Sequence, residues 1–213
     1  MTICTGAGSV VQIATVLGTA KTISAITNAS EAVATFEASH GLSIGDYVLI
    51  ASGWGDLNGR TVRVKAVSTN DVTLEGVDTS DTSRFPPGSG VGTGREITTW
   101  TEISEVKADS FQTSGGEQQF ADASPLSSFN DRQLPTTRTS YGIGFSVMDV
   151  SPGFNAARAA GVTPTPFRIA KAGVSTVGTG IWSASDIGKI NGREVTTYAV
   201  SVQLQAAPIT YFS

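Results

Sequence analysis

Apolar residues in this chain recur with a period of two, in short segments cut by turn residues. Tyr141, Ile143, Phe145 and Val147 alternate with Gly142, Gly144 and Ser146. Val62, Val64 and Ala66 alternate with Thr61, Arg63 and Lys65. Tyr198, Val200, Val202 and Leu204 alternate with Ala199, Ser201 and Gln203. That period places every second side chain on one face of an extended strand. The chain is therefore read as half-buried sheet, all-β apart from one short helix. Composition agrees, with 24 Gly against 8 Pro and many β-branched residues, which suit a pleated surface. Charged residues make up only 15%, against roughly 25% in an average soluble protein. Low charge density suits a subunit that buries outer surface against other chains.

Residues 9–35 read as two or three short strands. Residues 38–77 read as a compact unit with a strand at Tyr47–Ile50 and the hairpin signal Asn58-Gly59. Short strands joined by Gly and Asn turns predict a small barrel here. Residues 79–94 hold Pro86-Pro87 and glycines at 88, 90, 92 and 94, and read as a flexible linker. A strand over 97–106 should bend near Ser104. Residues 112–137 read as a long, irregular polar loop. Ser151 as N-cap, Pro152 at the first position and Gly161 as stop predict the helix. Phe154, Ala157 and Arg158 are expected to face the sheet.

Several function classes are excluded. The net charge of −4 gives no basic footprint for duplex binding. Cys4 is the sole cysteine, so no disulfide forms within the chain. No apolar run reaches the ~18–20 residues of a membrane span, and no basic residues precede the apolar stretch 10–17, so no signal peptide is expected. The only histidine, His40, lies in a turn without ligand-spaced neighbours, and no Gly-x-Ser-x-Gly elbow exists. Glu102 and Glu105 read more simply as solvated strand charges than as a glycosidase pair. No catalytic, metal or cofactor residues are assigned, and no enzyme is expected.

Charge is unevenly placed. Between Trp100 and Asp131 stand Glu102, Glu105, Asp109, Glu117, Asp122 and Asp131, opposed by Lys107. From Arg138 onward basic residues prevail. Such asymmetry suits head-to-tail contacts between copies.

The order of elements from Thr99 onward resembles the tail tube proteins of long-tailed bacteriophages. An acidic strand end and a polar loop are followed by the strand Ser140-Tyr141-Gly142-Ile143-Gly144-Phe145-Ser146-Val147. The helix 152–160 and a final strand within Arg193–Val202 complete the pattern, which covers residues 9–35 and 99–213. The resemblance implies a tail-tube-type β-sandwich or barrel domain. The unit His40-Gly41-Leu42-Ser43-Ile44-Gly45-Asp46-Tyr47-Val48 resembles small β-barrel modules of phage tail and fibre proteins, here as an insertion. The domains expected are 1–37 with 95–213, an inserted barrel at 38–78, and a linker at 79–94.

The resemblance further implies stacked hexameric rings with an acidic lumen, through which DNA passes without specific binding. Glu102, Glu105 and Asp109 are the lumen candidates. Glu117, Asp122, Phe129 and Asp131 are candidates for a loop that reaches the next ring. Partners would be other copies, a tape measure protein and a tail terminator, with no membrane; the place would be the virion tail, after synthesis in the host cytoplasm. Two rival readings are a carbohydrate- or receptor-binding tail-tip module, with Trp54 and Tyr47 stacking on sugar, and a capsid decoration protein.

Overall fold

The computed structural model describes residues 8–123, 132–171, 173–191 and 194–212. The first strands are β1 (Val10–Leu17), β2 (Lys21–Ile26), β3 (Val33–Phe36), β4 (Tyr47–Ser52), β5 (Arg60–Ser68), β6 (Asp71–Leu74) and β7 (Gly92–Glu102). There follow β8 (Gln112–Ser114), β9 (Gln118–Asp122), β10 (Gln133–Arg138) and β11 (Gly142–Val147). The helix α1 (Pro152–Ala160) precedes β12 (Thr165–Lys171), β13 (Val174–Ala184), β14 (Lys189–Asn191), β15 (Glu194–Leu204) and β16 (Ile209–Phe212). The chain is mostly β with one short helix, as the alternation predicts.

Strands β2-β3-β6-β5-β4-β7 pair in that order, and β7 pairs back to β2, closing a six-stranded barrel. Its interior holds Ile23, Phe36, Val48, Ile50, Trp54, Leu57, Val62 and Leu74. The expected limits of a barrel at 38 and 78 do not coincide with this one. Strands β2 and β3 come from before residue 38, and β7 starts within the last residues of the expected linker and runs beyond it. The linker itself is packed. Thr79 and Phe85 are buried, and Asn28 Nδ2 donates to the carbonyls of Thr79 at 3.0 Å and Phe85 at 2.8 Å.

Strand β7 is the spine of the molecule. Its first half belongs to the barrel; its second half pairs with β1 from Ile97 to Glu102. From there a curved sheet continues in the order β7-β1-β12-β13-β15-β11-β8. Its core holds Ile13, Ile103, Phe145, Val147, Phe167, Trp182 and Val200.

Helix α1 covers this core with Phe154 and Ala157. Ser151 Oγ accepts the Phe154 N–H at 3.2 Å and the Ser104 N–H at 3.3 Å. One cap thus satisfies a helix donor and anchors the bend after β7. Gly153 lies so close to the Glu102 carbonyl that a Cβ there would overlap it. Arg158 does not face the sheet as expected. It is exposed and reaches Asp186 at 3.8 Å; Gly153 takes the inward position, since a long charged side chain there would be desolvated without a partner.

The two units are joined by side chains as well as by β7. Tyr211 on β16 is 3% exposed. Its hydroxyl accepts the Arg63 N–H at 2.9 Å and donates to the Glu75 carbonyl at 3.3 Å, both in the barrel. The Arg63 guanidinium stacks on its ring at 4.6 Å and grips Glu75 through two nitrogens. Burial pushes the Tyr211 hydroxyl up to about 12.

A raised folded-state value means that this group's contribution is complete below its unfolded value near 10. It is lost as the pH rises from there towards 12. Stability to denaturant is expected to fall by about 2–3 kcal/mol across that window. Tyr211→Phe should remove that part of the alkaline slope, while costing about 1–3 kcal/mol at pH 8 through the unpaired Arg63 N–H. Urea titrations at pH 8 and pH 11.5 check both; an unchanged alkaline slope in the variant would refute the assignment.

Candidate functional site

Two edges of the curved sheet carry the features that need a partner. Strands β1 and β2 run end to end along one side of β7, joined where Gly18 N donates to Glu96 O at 2.8 Å. Strand β4 takes the other side, from Gly92 to Glu96. Beyond Glu96, no strand among the described residues pairs with that side of β7. At the far end, β8 pairs with β11 alone, and Gln112, Thr113 and Ser114 are exposed. Strand β11 does not form this second edge. It is instead covered, by β8 and by the Val106–Val147 bridge. The free edge is thereby displaced to β8. Unpaired edges of this kind are templates for pairing with another chain.

The segment expected to be an irregular loop is a projecting two-stranded ribbon, β9–β10. At its root, Gly115 and Gly116 adopt φ values of 86° and 79°, a region open to glycine at little cost. They turn the chain out of β8 into the ribbon. Gly116 N donates to Thr139 O at 3.0 Å and Thr139 N to Glu117 O at 2.9 Å. Phe120 lies opposite Pro135, and Ala121 opposite Leu134. Directly opposed residues share a face, so each face carries an apolar pair. Phe120 is 58% exposed and Leu134 53%. Pro135 lacks an N–H, which a free outer edge tolerates.

The lumen candidates Glu102, Glu105 and Asp109 are all exposed. They follow one another along the connection from the end of β7 to β8, that is, between the two free edges. Glu105 has φ 55°, which marks the expected bend. Lys107 lies 3.8 Å from Asp109, an exposed contact of little energetic consequence. Of the inter-ring candidates, Glu117 is exposed at the root of the ribbon and Asp122 is exposed on β9. Phe129 and Asp131 lie outside the described residues. Phe120 and Leu134 were missed by the sequence reading; the signal was apolar residues standing in an otherwise polar stretch.

His40 acts in the turn. Its Nδ1 accepts the Leu42 N–H at 3.1 Å, leaving Nε2 to donate to Thr69 O at 3.0 Å. Trp54 is 1% exposed, packs edge-on to Phe85 and donates from Nε1 to Pro86 O at 2.8 Å. Tyr47 is buried too. Neither ring is free to stack on a sugar, which removes the stated basis of the carbohydrate reading. Among the described residues no cluster of His, Cys, Asp and Glu could hold a metal ion.

A curved sheet with free edges and a projecting ribbon is the build of a structural β protein. The family model for the phage tail tube protein, TTP, matches residues 52–212, and the chain belongs to that family. It is a structural component of the virion tail. The matched span takes in β5, β6 and β7, which are barrel strands, as well as every strand of the curved sheet except β1. No curated protein matches the sequence.

Proposed function

We propose that the protein assembles into hexameric rings that stack into the tail tube, the conduit for DNA ejection. The observation that carries this reading is one curved sheet with free edges at both ends, β7 and β8. Pairing the β7 edge of one copy with the β8 edge of the next is a head-to-tail contact. Such contacts close into rings when the rotation between copies allows it. The inner wall would then be a continuous barrel contributed by all copies.

The connection bearing Glu102, Glu105 and Asp109 runs between those edges and would face the lumen. Its acids would repel phosphate and let DNA slide without sticking. The β9–β10 ribbon, with Glu117 and Asp122, would reach the next ring. The tape measure protein would fill the tube during assembly, and a terminator would cap it. The protein would be made in the host cytoplasm and perform no catalysis.

Electron microscopy of the purified chain at rising concentration tests the reading. Hollow tubes or six-fold rings are the expected result. A stable monomer or trimer at every concentration would overturn it.

A further inference from the structure

At the root of the ribbon lies a second apolar feature. Phe111, 37% exposed, stacks on the core ring of Phe145, with centroids 6.0 Å apart and planes 15° from parallel. An open hollow of about 370 Å³ lies on each side of it. Val11 and Val106 line one, Tyr141 and Leu204 the other, and Ile169 lines both. Together they form an apolar groove divided by the Phe111 ring, with Lys107 in its wall.

We infer that this groove is the receptor for the ribbon of a second copy, with the Phe120–Pro135 face seated against Phe111. The inference rests on the tube reading and names the surface that receives its ribbon. Three observations favour this occupant. Among the described residues, the ribbon's apolar pair has no cover within its own chain, as the exposure of Phe120 shows. Among the described residues, none of those lining the groove comes from the ribbon itself, so each copy presents a knob and a hole that do not meet internally. Groove and ribbon root are adjacent, because Thr113, Ser114 and Gly115 line the groove. A ribbon seated at the root of the next ribbon is a contact that repeats without end, as a stack requires.

The test places a benzophenone photo-crosslinking amino acid at position 120 in the full chain, under conditions where the unaltered chain assembles. After irradiation, adducts between two chains are expected, mapping by mass spectrometry to residues 106–111, 141–143 or 169. With the probe moved to position 111, adducts should map to residues 118–122 or 133–135 of another chain. Assembled particles whose adducts lie elsewhere, or within one chain, overturn the groove and leave the tube reading standing. If the probe at 120 prevents assembly, the probe at 111 decides by the same criterion. An unaltered chain that never assembles overturns the tube reading and this inference with it.

Discussion

Excision of residues 39–77 is expected to abolish folding rather than leave an intact remainder. The stretch reads as a self-contained insertion, and an insertion could be removed cleanly. Yet it supplies β4, β5 and β6, three of the six barrel strands. Without them Ile23, Ile26, Ala34 and Phe36 on β2 and β3 lose their cover. Each large side chain exposed costs about 1.5–3 kcal/mol. The curved sheet loses contacts too: Thr61 with Thr179 at 2.8 Å, Tyr47 with Ser175 at 3.1 Å, and both partners of the Tyr211 hydroxyl. The sum is on the order of 10 kcal/mol, comparable to the whole stability of a typical protein. Circular dichroism of the excised chain should show no cooperative melt. A cooperative transition above room temperature would show that the barrel is dispensable after all.

Why the barrel's extent escaped the sequence is a matter of range. Local signals were legible. The alternation at 141–147 is β11, Asn58-Gly59 is the turn before β5, and Ser151, Pro152 and Gly161 bound the helix as capping rules require. Strands β2 and β3 are short, and nothing local states that β3 pairs with β6, some 40 residues on. Strand β7 was harder still. Gly92 and Gly94 read as linker, but they are strand residues pressed against the backbone of Ala51 and the ring of Phe36. Packing that tight requires glycine in a strand, and its cause is visible only in three dimensions.

The candidate site was half legible for a related reason. Acidic residues between 102 and 122 stand out by charge alone, and all that the structure describes are exposed. The ribbon did not stand out. A strand is recognised by one wet and one dry face, and every residue of β10 is exposed. Alternation is missing because the second surface that would impose it belongs, on the tube reading, to another chain. The same absence explains why an apolar pair on each face is tolerable in an otherwise polar segment.

Replacing residues 118–138 with an Asn-Gly turn is therefore expected to separate folding from assembly. Glu117 and Thr139 already lie across from each other, with Thr139 N donating to Glu117 O, so a two-residue turn can close the gap. No described residue of the ribbon belongs to either core. Its removal should shift the melting temperature by only a few degrees, as surface changes of about 0.5 kcal/mol do. On the tube reading, stacking should be lost entirely, because the proposed contact with the next ring is gone. The β7 and β8 edges remain, so single rings are the expected product. Sedimentation velocity and electron microscopy read both outcomes in one preparation. Tubes of ordinary length from the shortened chain would show that the rings stack through the sheet edges or the barrel, and that the ribbon serves another surface.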